Sequence, residues 1–251
     1  APAARTAPRE LSFSQLDSYL ACPRQYRYRY VTGLPTPPHH ALVYGSALHA
    51  AVAAYHLSER RGHPLDEATL LAAFAEHWQS EGFLSRAHED ARFAAGQAAL
   101  RRFRDDRLAS GAPPPVAVEA SFSVILGGDR LRGRYDRVDE GPEGAIITDY
   151  KSGDVPDGQR ARQRARDSLQ LALYALAHEA ETGALPAVVQ LHFLTSNTIG
   201  AVAPDPVRLE RARARLTAAA DGIRRGRFEP TPDAVTCGGC PFREICPASA
   251  A

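Results

Sequence analysis

The 251-residue sequence has no methionine, one tryptophan and one lysine. The missing methionine leaves no initiator residue. Either the methionine was trimmed or, the reading favoured by the linker-like start Ala1–Pro8, this is a domain cut from a longer protein. No apolar run approaches the ~20 residues needed to span a bilayer, so no membrane helix is expected. No charged segment followed by an apolar one opens the chain, so nothing points to secretion and the expected compartment is the cytoplasm. The net charge of +1 excludes a global basic field. Any nucleic-acid binding must then come from local arginine patches. The length suits one large domain, or a main domain with a smaller appendage.

Every basic residue except Lys151 is arginine. Lys151 lies in Ile146-Ile147-Thr148-Asp149-Tyr150-Lys151, two residues after an acid. Arginine cannot stand in for lysine where a compact ammonium must touch water or a phosphate, because guanidinium is a wide, delocalised plane. If the run is a strand, alternation puts Asp149 and Lys151 on one face. The competing reading is a surface lysine left over from a GC-rich codon bias.

Apolar periodicity divides the chain into elements. Ser12-Phe13-Ser14-Gln15 fits a capping box that opens a short helix ending at Cys22-Pro23. Helical stretches are predicted over 41–60, 66–81 and 89–108, with Leu48, Val52 and Tyr55 on one stripe. Residues 116–126, 130–138 and 145–151 read as strands of an antiparallel meander, divided by Gly-rich or Asp/Gly turns. An arginine-rich helix over 157–181, a strand over 187–195 and a basic helix over 206–226 follow. Helices, a meander and then helix-strand-helix make an α/β fold with a mixed central sheet.

Asp136 precedes Asp149 by thirteen residues, and a hairpin around 139–144 would set the two roughly opposite each other. Two carboxylates on one face repel unless a cation lies between them, which suggests a hard divalent metal. The candidate ligands are Asp136, Asp149 and the Tyr150 carbonyl. With Lys151 beside them, this is the equipment of metal-assisted phosphodiester hydrolysis. Glu119 would either face the metal or be a partly exposed strand position. Asp139, Glu140, Glu143 and Asp154 are read as ordinary turn acids.

Asp136 with Asp149-Tyr150-Lys151 resembles the core motif of the PD-(D/E)xK nucleases in their RecB-like form. Four further segments resemble that group in the same order. They are Leu11 to Pro23, Gly45-Ser46-Ala47-Leu48-His49, Gly133-Arg134-Tyr135-Asp136-Arg137-Val138-Asp139, and Gln170-Leu171-Ala172-Leu173-Tyr174. A D-x-K alone is a weak signal; five motifs in order are a strong one. The resemblance implies a restriction-endonuclease-like core, with His49 as a metal ligand or neighbour. Imidazole suits Mn²⁺ in that role. It also implies that Gln170 and Tyr174 lie against the active site, whereas periodicity alone assigns Tyr174 to the core.

The four cysteines are Cys22 and a C-x2-C-x5-C run at Cys237, Cys240 and Cys246. Disulfides, a four-thiolate Zn²⁺ and an iron–sulfur cluster are the three possibilities. One cysteine before the core and three after it resembles the iron–sulfur RecB-like nucleases, which include helicase-associated and CRISPR-associated spacer-acquisition enzymes. That resemblance implies a 4Fe–4S cluster joining the two ends of the chain, with Zn²⁺ as the alternative.

Arg160, Arg162, Arg164 and Arg166 adjoin the Gln170 helix and suggest a DNA backbone contact. Arg24, Arg27 and Arg29 alternate with Tyr26, Tyr28 and Tyr30, either to stack bases or to pack beside Cys22. The expected organisation is a linker over 1–10 and a nuclease domain over 11–251. Within that domain, 11–115 is a helical part, 116–230 the catalytic core and 231–251 the iron–sulfur segment. The expected activity is Mg²⁺- or Mn²⁺-dependent cleavage of single-stranded DNA or duplex ends, as an exonuclease working with a helicase in repair or recombination. The rival is a catalytically silent DNA-binding module of the same fold.

Overall fold

The computed structural model describes residues Glu10–Ala250, so nearly all of the expected linker lies outside the described residues. β1 (Glu10–Ser12), α1 (Phe13–Ala21) and α2 (Pro23–Tyr26) come first, and a π-helical turn over Arg27–Val31 extends α2. α3 (His40–Arg60), α4 (Glu67–Glu76) and α5 (Arg86–Ala109) follow. Next come β2 (Ala117–Leu126), β3 (Asp129–Gly141) and β4 (Gly144–Lys151). α6 (Gly158–Asp167), α7 (Leu169–Thr182), β5 (Val188–Phe193), β6 (Thr198–Val202), α8 (Pro206–Arg224) and α9 (Ala234–Gly238) complete the chain. The sheet order is β1-β3-β4-β5-β6, with β2 also paired to β3. No described helix is long and apolar enough to cross a membrane.

The described residues divide into two compact units, one of residues 10–37, 121–133 and 206–250, the other of 38–120 and 134–205. In the first, β1 runs parallel to the start of β3, with Leu11 opposite Leu131. Ser12 closes the expected capping box with Gln15, which fixes the start of α1. α1 packs on α8, and the Tyr19 hydroxyl donates 2.8 Å to the Arg227 carbonyl. Gly133 sits against Phe122 so closely that a Cβ would overlap the ring.

In the second unit, β4 pairs antiparallel with β3 and parallel with β5, so the sheet is mixed as expected. A parallel pair needs a crossover, here supplied by α6 and α7. Ile147, Thr148, Asp149 and Tyr150 are all buried, as in a central strand covered on both faces. Leu48, Val52 and Tyr55 of α3 form the expected stripe. They pack with Leu70 and Phe74 of α4, Leu100 and Phe103 of α5, and Tyr150. Burial of each such side chain stabilises the unit by about 1.5–3 kcal/mol.

Several elements differ from expectation. The helix predicted over 66–81 ends at Glu76, because Trp78 leaves it. Its indole donates 3.0 Å to Glu89, and its ring packs on Phe83 and Phe93. The single helix predicted over 157–181 is two helices broken at Ser168, whose extended ψ of 112° cannot continue α6. β1, β6 and α9 are absent from the sequence-based prediction; each is only 3 to 5 residues long.

Candidate active site

The site is assembled in the second unit from α3, β3, β4 and α7. The β3–β4 register pairs Arg137 with Thr148, so continuing it by one step sets Asp136 across from Asp149. The backbone N–H of Tyr150 donates 2.8 Å to Asp136 Oδ2, which ties one carboxylate to the strand carrying the other. His49 Nδ1 lies 3.4 Å from the same oxygen. One turn earlier on α3, a Cβ at Gly45 would stand a tight 3.1 Å from Ser152 Oγ, next to Lys151 in the chain.

Asp149 is 1 % exposed. Its Oδ1 accepts from the Tyr174 hydroxyl at 3.2 Å, and its Oδ2 lies 2.7 Å from Lys151 Nζ. That second contact is an ion pair and not an aligned hydrogen bond, since Oδ2 is buried with no directed donor. Lys151 instead donates 2.7 Å to Gln170 Oε1, and the Gln170 amide donates 2.9 Å to Tyr174 Oη. Asp149, Lys151, Gln170 and Tyr174 therefore close into one ring of contacts. The Lys151 side chain remains 37 % exposed, so the ammonium faces solvent from inside that ring.

The electrostatics of the pair are strained. Burial, followed by the charge of Asp149, raises the Asp136 pKa to about 6, with His49 and the Tyr150 N–H pulling it down. Glu119 adds a smaller upward push, so it lies near enough to feel the site. It also pairs with Arg134 at 3.0 Å, and its φ of +51° marks a bend in β2. Burial raises the Tyr174 hydroxyl far above its ordinary value, reinforced by Asp149 and Asp136, so it stays a donor.

On the other side of β4, the Tyr150 hydroxyl contacts His56 Nε2 at 2.8 Å and accepts from Arg137 at 3.3 Å. Arg137 grips Asp139 Oδ1 with two nitrogens at 2.9 and 2.7 Å. His56 Nδ1 meets Glu59 at 2.8 Å, and Glu59 accepts 2.8 Å from Arg107. This chain holds the residue whose N–H holds Asp136. The sequence reading passed over it and took Asp139 for a turn acid. The signal was present in Arg137-Val138-Asp139, where alternation sets the two charges on one face.

A divalent cation fits the donors on two observations, the undirected buried oxygen of Asp149 and the mutual repulsion of the carboxylates. Among the described residues, however, no three His, Cys, Asp or Glu side chains already stand in metal-holding geometry. Asp136, Asp149 and His49 are the donors that would converge.

The cysteines lie in the first unit. All four are free thiols in this structure, and all line one pocket with Tyr28 and Phe242. The rings of Tyr28 and Phe242 meet edge-on at 5.4 Å, so Tyr28 packs beside the thiols. Burial raises the Cys240 thiol, as do the charges of Cys22, Cys246 and Cys237, against a bond from the Phe242 N–H. Among the described residues, the pocket lining contains no acid and no histidine. A set of thiols alone suits a soft metal or an iron–sulfur cluster.

Comparison with known proteins follows this geometry. The chain is 25 % identical over 268 residues to the Gene 69 protein of Mycobacterium phage D29, covering 94 % of this chain and 96 % of the relative. The Gene 69 protein of phage L5 is 23 % identical over 288 residues, with coverages of 94 % and 95 %. A solved Eubacterium rectale protein, named as a candidate exonuclease, superposes with a TM-score of 0.55 at 16 % identity. That match covers 88 % of this chain and 84 % of the other, and it concerns the fold alone. A sequence model of the PD-(D/E)XK nuclease superfamily matches residues 10–247, taking in every site residue described above, and the chain belongs to that superfamily.

Proposed function

We propose that the protein is a Mg²⁺- or Mn²⁺-dependent deoxyribonuclease, acting as an exonuclease on single-stranded or unwound DNA. The observation that carries this reading is the ring of Asp149, Lys151, Gln170 and Tyr174 beside Asp136. A lone lysine 2.7 Å from a buried carboxylate, yet open to solvent, is placed to meet a phosphate. When bound, a divalent cation supplies an acidified water and neutralises charge on the scissile phosphate. The hard oxygen donors of Asp136 and Asp149 would hold it, with His49 alongside.

The chain's own residues do the rest. The Tyr150 N–H keeps Asp136 ionisable and correctly aimed. Tyr174 holds Asp149 Oδ1, leaving Oδ2 directed at the site. Gln170 clamps Lys151 so that the ammonium can orient the attacking water or donate to a phosphate oxygen. Such fixed donors cost no reorganisation at the moment of reaction.

The exonuclease reading comes from the RecB-like order of motifs and is in keeping with the fold shared with the E. rectale protein. A helicase partner, with a place in repair or recombination, rests on the same resemblance, and the sequence itself has no phosphate-binding G-x-x-x-x-G-K-[ST] loop. Unwinding would then be done by another protein or another domain. For the thiols we favour a 4Fe–4S cluster acting as a structural clasp, supported by four free cysteines around one acid-free pocket.

The test is cleavage of end-labelled single- and double-stranded DNA with Mg²⁺, with Mn²⁺ and with chelator, on protein purified without oxygen. The expected result is metal-dependent shortening of the labelled strand, and a brown protein holding about four irons. DNA binding without cleavage would establish the silent module instead. One zinc and no iron would replace the cluster with Zn²⁺.

A further inference from the structure

α6 has the sequence Gly158-Gln159-Arg160-Ala161-Arg162-Gln163-Arg164-Ala165-Arg166-Asp167. Ala161 and Ala165 are its buried face, which packs on β5 and β6. Gln159, Arg162, Gln163 and Arg166 fall at i, i+3, i+4 and i+7, so they form one continuous stripe. With Gly158 they line an open hollow of about 610 Å³. Arg164 is on a different stripe, where its guanidinium lies 5.7 Å from the Phe193 ring.

Some arginines of this unit carry acid partners, as Arg101 does with Glu67, Arg134 with Glu119 and Arg137 with Asp139. Among the described residues, neither Arg162 nor Arg166 has one. The only acid of α6, Asp167, accepts 2.6 Å from Gln163. Two unpaired guanidinium groups flanked by two amides make a surface for anions. Among the described residues, the hollow has no apolar or aromatic lining residue on which a base would stack.

We infer that the Gln159–Arg162–Gln163–Arg166 stripe binds the phosphodiester backbone of the DNA strand being cut, a reading that rests on the nuclease function proposed above. Position in the chain selects this partner. α6 begins seven residues after Lys151, and Arg166 comes four residues before Gln170. The stripe is thus tethered at both ends to residues of the active site. Arg162 and Arg166 are about 6 Å apart along the helix axis, a step comparable to that between successive phosphates of one strand. Contacts of this type set register without reading sequence.

The test compares wild type with Arg162→Gln/Arg166→Gln for binding of fluorescent single-stranded DNA in chelator, over a range of salt. Losing two phosphate contacts should flatten the slope of log affinity against log salt by about 1.4 and weaken binding about ten-fold at moderate salt. The charge-retaining Arg162→Lys/Arg166→Lys should restore the slope, and Arg60→Gln/Arg61→Gln, an equal charge loss at the far end of α3, should leave it unchanged. Wild-type affinity and slope in the Gln pair overturn the inference, and so does an equal loss in the Arg60/Arg61 control. If that happens while wild type cuts DNA, only the surface is refuted. If wild type neither binds nor cuts DNA, the nuclease reading and the surface fall together.

Discussion

Asp149 is held from both sides, by the Tyr174 hydroxyl on Oδ1 and the Lys151 ammonium on Oδ2. Lys151 is in turn fixed by Gln170, so the cation has one position and not a range of them. A guanidinium is too broad for the space between Asp149 and Gln170 and would spread its charge over a plane. Lys151→Arg should therefore cut DNA nearly as slowly as Lys151→Ala, measured as the single-turnover rate with saturating metal. Full activity in Lys151→Arg would mean that only diffuse positive charge is needed. These residues were legible for unequal reasons. Lys151 stood out by rarity and Asp149 by strand alternation, whereas Gln170 and Tyr174 were named only through the motif order. Nothing local marks a buried tyrosine as a hydrogen-bond donor to a carboxylate. The His56–Glu59–Arg107 chain went unseen because, although His56 and Glu59 are i, i+3 on α3, Arg107 and Tyr150 reach them only through packing.

At the level of elements, the strands carrying the acids were legible because Asp/Gly turns and alternation bound them. The break between α6 and α7 was not, since the apolar period runs on through residues 157–181. Ser168 decides it: its side chain accepts from the Leu171 N–H at 3.2 Å and caps α7. The cap sets where α7 begins, and so where Gln170 falls relative to Lys151. Ser168→Ala should cost about 1 kcal/mol and lower Tm by about 3 °C. A thermal melt with unchanged Tm would show that packing of α7 alone fixes its start. β6 escaped notice for a similar reason, since Thr198–Val202 is short and carries Gly200 at its centre. Its identity comes from pairing with β5, not from its own residues.

Across the whole molecule, acid stability separates structural charges from functional ones. Burial alone would raise Glu59, but its bonds from His56 and Arg107 outweigh that and hold its pKa below the ordinary value. A carboxylate depressed in the fold contributes stability above its unfolded pKa, and that stability is lost as pH falls through the folded one. Glu59→Gln leaves Arg107 buried without its counter-charge and should cost about 3 kcal/mol at neutral pH. The Tm difference from wild type should stay constant from about pH 8 to about pH 5 and shrink only below about pH 4. A difference that grows on acidification would reverse the sign and refute the assignment. Asp136 behaves oppositely, because its raised pKa means that its charge opposes folding above about 6; this contribution is common to both proteins and cancels. The active site is thus a place where the fold tolerates repulsion that a bound cation would relieve. The central claim is that Asp149 is kept for chemistry and not for stability, and Asp149→Asn tests it most directly through one paired measurement of Mn²⁺-dependent DNA cleavage and Tm. Cleavage at the metal-free background with Tm equal to or above wild type is the predicted result, and wild-type cleavage, or a large fall in Tm, would contradict it.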